Sequence, residues 1–260
     1  MPRVLTVQHQ ADAPPGLVGD WLADRGVRLE VFRPDLAMPL PESLRGYAGL
    51  LVLGGSMGAY DDHEASWLPR VRALFAASIR EQVPALGICL GHQLLAVAAG
   101  GTVERHPDGR RAGTVELGLE PAAAADPLFG ELRAPCRAVR WHQDVVVTPP
   151  ADGTVLATGD GDIHGLRVGA CAWGVQAHPE ASADIVAGWA ERAERQIRRE
   201  LAPPESPGAG EPAEGVDEAV ARVRAASSDI RARERELATV WRPFADAFAD
   251  RLSARSPRGS

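Results

Sequence analysis

Short continuous apolar runs alternate along the first part of the chain with stretches whose apolar residues recur at helical spacing. Arg3 to Gln8 reads as a first strand, and Gly16 to Asp24 as a helix with Leu17, Trp21 and Leu22 on one face. Gly26 ends that helix, and Val27 to Phe32 makes a second strand. Gly49 to Leu53 is a continuous apolar run, the pattern of a strand covered on both faces. Ser66 to Glu81 reads as an amphipathic helix with Ser66 as its N-cap, and Val83 to Ile88 as a fourth strand. Strand alternating with helix predicts a parallel sheet with helices on both faces. Ligands of such sheets bind beyond the C-terminal strand ends.

From Thr102 to Gly169 the pattern changes. Short strand-like runs (Gly113–Gly118, Cys136–Val139, Val145–Thr148, Val155–Thr158, Ile163–Val168) are separated by glycine and proline turns, which predicts an antiparallel small sheet or ribbon beside the parallel core. The Pro/Gly-rich segment 203–215 reads as a flexible linker, so residues 1–202 form the main domain. In 216–252 the residues Val216, Val220, Val223, Ile230, Leu237, Val240, Phe244, Phe248 and Leu252 recur at helix-like spacings, with Pro243 expected to kink or interrupt the helix. Residues 253–260 read as a disordered tail. The extension is expected to dock as a helix on this domain, a second copy or a partner, because Trp241, Phe244 and Phe248 would be a costly exposed patch. It carries no group expected to react, so the first 201 residues are expected to keep their geometry without it.

Composition narrows the functional classes. The chain has 260 residues, 45% hydrophobic and 24% charged, which fits a globular protein with a sizeable core. A formal net charge of −7 with no basic stripe argues against nucleic-acid binding. There is no lysine, so all 28 basic residues are arginine. The three cysteines form no Cys-x-x-Cys pair and no disulfide framework, which with the absence of a secretory h-region predicts a cytoplasmic protein. No apolar run is long enough to span a membrane.

The chemistry concentrates at Gly87-Ile88-Cys89-Leu90-Gly91-His92-Gln93. It lies between an apolar strand and an apolar helix, so Cys89 sits at the apex of a sharp strand-to-helix turn. Gly-x-Cys-x-Gly is the thiol counterpart of the Gly-x-Ser-x-Gly nucleophile elbow. The glycines let the two backbones pass closely, and the helix N-terminus favours an anionic sulfur. A nucleophile needs a base and an orienter. Downstream, Cys171 to Gln176 reads as a buried strand delivering Ala177-His178-Pro179-Glu180, in which His178 can move the proton and Glu180 can fix the imidazole. Cys136 and Cys171 read as packing residues, and His92 as a helix-packing or hydrogen-bonding residue. The acidic cluster Asp61, Asp62, His63, Glu64 reads as a solvated loop, so no metal ligand is assigned.

These motifs, in this order and spacing, resemble the class I glutamine amidotransferases over roughly residues 1–195, most closely stand-alone domains similar to the glutaminase part of GMP synthase. The resemblance implies an α/β, flavodoxin-like open parallel sheet with an added antiparallel ribbon, followed here by the helical tail. It implies a Cys89–His178–Glu180 triad and an oxyanion hole from the Gly55 and Leu90 amides. It implies contacts to glutamine from Gln93, His142, Gln143 and Asp144. No cofactor is implied. The expected activity is hydrolysis of the glutamine γ-amide through a Cys89 thioester, with ammonia passed to a separately encoded synthase. One departure is Ala177, where the family usually carries an aromatic residue; a smaller side chain is expected to widen the pocket or loosen packing on the imidazole. That keeps a second activity open, hydrolysis of γ-glutamyl peptides or amines. A third reading, from another class, is a non-catalytic regulatory or binding protein. For the tail's partner, a homo-oligomer is a further alternative.

Overall fold

The computed structural model describes residues 1–200 and 215–255. The strands, in chain order, are β1 (Arg3–Val7), β2 (Arg28–Phe32), β3 (Gly49–Val52), β4 (Ala85–Ile88), β5 (Thr102–Arg105), β6 (Arg111–Leu119), β7 (Cys136–His142), β8 (Asp144–Thr148), β9 (Gly153–Gly159), β10 (Asp162–Val168) and β11 (Ala172–Val175). The α-helices are α1 (Gly16–Asp24), α2 (Leu68–Glu81), α3 (Leu90–Ala98), α4 (Ala183–Glu200) and α5 (Val216–Arg255).

The five strands β2-β1-β3-β4-β11 pair in parallel, as their apolar character requires. Side chains alternate between the two faces. Val4, Leu51, Leu86 and Trp173 join the layer with α1 and α5. Leu5, Leu50, Ala85 and Ala172 join the layer with α2 and α3.

The antiparallel strands are arranged differently from expectation. Among the described residues only β5 and β8 form a separate two-stranded ribbon. The others extend the main sheet past β11 in the order β10-β9-β6-β7, each antiparallel to its neighbour. The sheet therefore has nine strands, and its apolar faces are long enough to need further cover.

That cover is α5. Its stripe is buried as the periodicity predicts, except that Trp241, at 1% exposure, takes the place of the only partly buried Val240. Phe244 packs edge-on against Phe129 and Trp241, and Trp241 Nε1–H donates to the Arg137 carbonyl at 3.0 Å. Nearer its start, Ile230 and Leu237 pack with Val186 and Trp189 of α4. The helix covers its own domain, one of the surfaces expected for it, and its removal would bare the apolar faces of β6, β7 and α1. The helix also runs without interruption through Pro243 and on to Arg255, so residues 253–255 are helical rather than a frayed tail. The rest of that tail, 256–260, and the expected linker apart from Gly215 lie outside the described residues. Ser66 is not an N-cap: α2 begins at Leu68, Trp67 precedes it, and no side chain caps it.

Candidate active site

The elbow forms because two backbones nearly touch. A Cβ on Gly87 would lie 2.3 Å from the Gly91 carbonyl oxygen, and one on Gly91 would lie 2.2 Å from the Val52 carbonyl oxygen, so no larger residue fits at either position. Between them Cys89 sits at φ 52°, ψ −105°, a conformation L-residues avoid and the surrounding pairing must enforce. Its N–H donates to the Val175 carbonyl at 2.8 Å, which ties the elbow to β11.

Strand β11 leads directly to His178 and Glu180, 5% and 1% exposed. The His178 N–H donates to the Val139 carbonyl at 2.9 Å, and the Glu180 carbonyl accepts from the Leu17 N–H at 2.9 Å. Gly16 lets that approach occur, since a Cβ there would lie 2.1 Å from the Glu180 carbonyl oxygen. The next turn is capped twice, by Ser182 Oγ accepting from the Ile185 N–H and by Glu234 of α5 accepting from the Ala183 N–H at 2.7 Å.

His178 Nδ1 lies 2.8 Å from Glu180 Oε1 and its Nε2 lies 3.1 Å from the Trp141 carbonyl oxygen. Both neighbours accept hydrogen bonds, which favours a hydrogen on each ring nitrogen. Burial alone would lower the His178 pKa. The charges of Glu180 and Cys89, and the hydrogen bond to Glu180, outweigh it and hold the pKa well above the ordinary histidine value. Gly54 makes room for the pair: a Cβ there would lie 3.3 Å from His178 Cε1 and 3.6 Å from Cys89 Cβ.

The expected pocket widening at Ala177 does not occur. Ala177 is fully buried in the apolar layer that holds Trp241 and Phe244, away from the cleft. Packing on the imidazole comes instead from Trp189 of α4, whose ring centroid is 4.6 Å from that of His178 and whose Nε1–H donates to the Asp12 carbonyl. Sequence reasoning missed Trp189, and nothing in its local pattern marks it.

Cys89 and His178 open into a cleft of about 400 Å³. Gly55, Gln93, His142, Gln143 and Asp144, all singled out from the sequence, line it; Leu90 and Glu180 lie behind the lining. The Ser56 N–H and hydroxyl both donate to Gln10 Oε1 at 2.8 Å, which pins the glycine turn and leaves the Gly55 amide as the neighbouring donor. The Leu90 amide is in the first turn of α3, where amides have no intrahelical acceptor. Gln93 Nε2–H donates to the Asp144 carbonyl at 2.8 Å and reaches Gln176 Oε1 at 3.2 Å, so it braces the cleft wall. Burial raises the Asp144 carboxyl pKa, with Arg105 opposing. Further along the wall, Arg110 donates to Gln196, and Arg192 pairs with Asp12.

The remaining chemically suggestive residues are accounted for differently. Cys136 is fully buried, and burial pushes its thiol up to about 12. His92 is fully buried with its ring against the Gly174 backbone, a packing residue. In the acidic loop, Asp62 is engaged by Arg72 and Asp61 accepts from the Gly58 N–H. Among the described residues no helix is long and apolar enough to cross a membrane.

Known proteins share this architecture. A chain from Thermotoga maritima described as a glutamine amidotransferase superposes with a TM-score of 0.77 at 22% identity, covering 96% of this chain and 98% of its own. A glutamine amido transferase from Methylobacillus flagellatus superposes at 0.75 with 25% identity, covering 100% of this chain and 97% of its own. In sequence, gamma-glutamyl peptidase 4 of Arabidopsis thaliana is 29% identical over 172 residues, 64% of this chain and 66% of its own length. One of the subunits of the glutamine-hydrolyzing GMP synthase of Halobacterium salinarum is 38% identical over 104 residues, 38% of this chain and 54% of its own length. The family model for glutamine amidotransferase class-I matches residues 18–185. That match begins within α1 and ends in the first turn of α4, taking in every strand but β1. The chain belongs to the class I glutamine amidotransferase family, whose members are hydrolytic enzymes.

Proposed function

We propose that this protein hydrolyses the γ-amide of glutamine through a thioester on Cys89. The observation that carries this reading is the environment of His178: one nitrogen on Glu180, the other on a carbonyl, and Cys89 beside it across Gly54. A protonated imidazole beside a thiolate is the ion-pair form of a nucleophile–base couple.

The sulfur anion attacks the γ-carbonyl carbon, forming a C–S bond and moving the π pair onto oxygen. The Gly55 and Leu90 amides receive that oxyanion. His178 gives its Nε2 proton to the departing nitrogen, the C–N bond breaks and ammonia leaves. Water, deprotonated by the now neutral His178, then cleaves the thioester to glutamate and returns the thiol. Glu180 keeps its hydrogen bond throughout and holds the ring's orientation. Asp144 and Arg105, 3.6 Å apart on the cleft wall, suit the ammonium and carboxylate of a substrate's amino-acid end. The likeness to part of a GMP synthase supports ammonia delivery to a separate synthase.

A second reading is favoured by the cleft's extent. It continues past the sulfur to Arg110, Arg192 and Gln196, polar groups that a leaving ammonia does not need and a leaving peptide would. The same thioester serves γ-glutamyl peptides, consistent with the likeness to a gamma-glutamyl peptidase. A panel of glutamine, γ-glutamyl dipeptides and γ-glutamyl amines, with released glutamate measured for each, separates the two by their kcat/KM. Release from none of them, with Cys89 unlabelled by a γ-electrophilic glutamine analogue, would reject both.

A further inference from the structure

From His142 of the cleft lining to β10 behind it runs a group of side chains that the reaction above does not use. His142 ends β7. Asp162 and His164 stand two residues apart on β10, beside a β-bulge that leaves His164 without a partner on β9. Their exposures are 5%, 7% and 0%. One nitrogen or carboxylate oxygen from each lies within 4.8 Å of those from the other two. Neither nitrogen of His142, neither nitrogen of His164, and not Asp162 Oδ2 has a hydrogen-bond partner among the described residues. Buried polar groups in native proteins are almost always paired, so several converging orphans call for an occupant.

We propose that His142, Asp162 and His164 bind a divalent transition-metal ion, zinc being the best match, and that the ion anchors the β7–β8 turn that forms the cleft wall. Two imidazoles and one carboxylate are the donor set of zinc and its first-row neighbours, whereas calcium and magnesium take oxygen ligands. The second layer is already in place: His106 Nε2 lies 3.4 Å from Asp162 Oδ1, leaving Oδ2 free to coordinate. Bonds of about 2.0–2.2 Å would draw the three ligand atoms closer than they stand, a change within reach of side-chain rotation. Two nearby cations oppose a metal, but Arg111 and Arg140 are both engaged by Asp160.

The position gives the ion a consequence. His142 directly follows Trp141, whose carbonyl faces His178 Nε2, and directly precedes Gln143 and Asp144 of the cleft wall. Tethering His142 to β10 would hold these groups in register. The ion is not placed on the reacting atoms, so the site does not depend on which γ-glutamyl substrate is used, or on hydrolysis at all.

The test uses the full chain without an affinity tag, stripped by chelator and dialysed. Zinc and cobalt(II) are then added, with bound metal measured by mass spectrometry and cobalt followed by its visible absorption. Because a thiolate beside an imidazole also attracts zinc, the series is run in a Cys89→Ala background. The expected result is one ion per chain in Cys89→Ala, a visible cobalt band, a thermal midpoint raised by several degrees with zinc, and an affinity at least about 100-fold weaker when His164→Gln or Asp162→Asn is added. Circular dichroism checks that these variants remain folded. Should one fail, the parent's stoichiometry and cobalt spectrum still decide. Substoichiometric binding to the folded parent would overturn the proposal and assign the cavity to water. So would binding that survives both substitutions, or metal lost merely on removing Cys89.

Discussion

Phe244→Ala tests how far the catalytic domain depends on the C-terminal helix. Phe244 is fully buried, its ring centroid 5.3 Å from that of Phe129 and 5.4 Å from that of Trp241, in edge-to-face arrangements with both. Its truncation removes the aromatic burial and leaves a cavity between α5 and the sheet extension, a loss of about 3–5 kcal/mol. A domain has only about 5–15 kcal/mol of net stability, so one side chain on the tail carries a large share. At about 2–4 °C per kcal/mol for a chain near this size, the thermal midpoint should fall by about 6–20 °C. Urea unfolding followed by circular dichroism and tryptophan fluorescence measures the loss, and kinetics at 25 °C measure its reach. Neither Phe244 nor its two ring partners lines the cleft, so kcat/KM of the folded fraction should stay within about twofold. A loss below about 1 kcal/mol, or an α5 that melts separately from the sheet, would refute the claim that helix and sheet share one cooperative core.

Cys89→Ala and His178→Asn should each lower kcat of γ-glutamyl hydrolysis by at least about 10⁴-fold, while Glu180→Gln should remain about 10²-fold more active than His178→Asn; single-turnover kinetics decide, and near-wild-type turnover by His178→Asn would remove it as the base. Because the His178 pKa is raised, its proton is present below the ordinary value near 6.5 and lost only as pH rises through the higher folded value, so the basic limb of kcat/KM should lie well above pH 6.5 and shift down in Glu180→Gln. His9 titrates the opposite way: burial lowers it to about 4, with Asp35 opposing, and its Nδ1 accepts from Trp67 Nε1–H at 3.0 Å. Its stabilising contribution is complete above the unfolded value of 6.5 and is lost as pH falls toward 4, by about 1.4 kcal/mol per unit. Urea midpoints at pH 7 and 5 for wild type and His9→Gln should show the smaller acid sensitivity in the variant.

What the sequence determined by itself is local. The apolar runs of β1, β3 and β4 announce strands covered on both faces, because period-two alternation with both sides apolar leaves no solvent face. The elbow is legible because Gly87 is required by a contact within a few residues, with Gly91, while Gly91 itself is required by Val52 on the neighbouring strand. His178 and Glu180 are read together because only Pro179 separates them. The stripe on α5 shows that something must cover it. What covers it was decided only in three dimensions. The antiparallel strands joined the main sheet rather than standing apart, and so created the apolar surface that α5 buries. Trp189 reached His178 from a helix whose own pattern shows only an apolar face, replacing the aromatic that Ala177 does not supply. His142 met Asp162 and His164 from a separate strand. Such meetings depend on sheet order and on the angle at which helices cross it. Those follow from the summed packing of the whole chain, and no short stretch of residues encodes them.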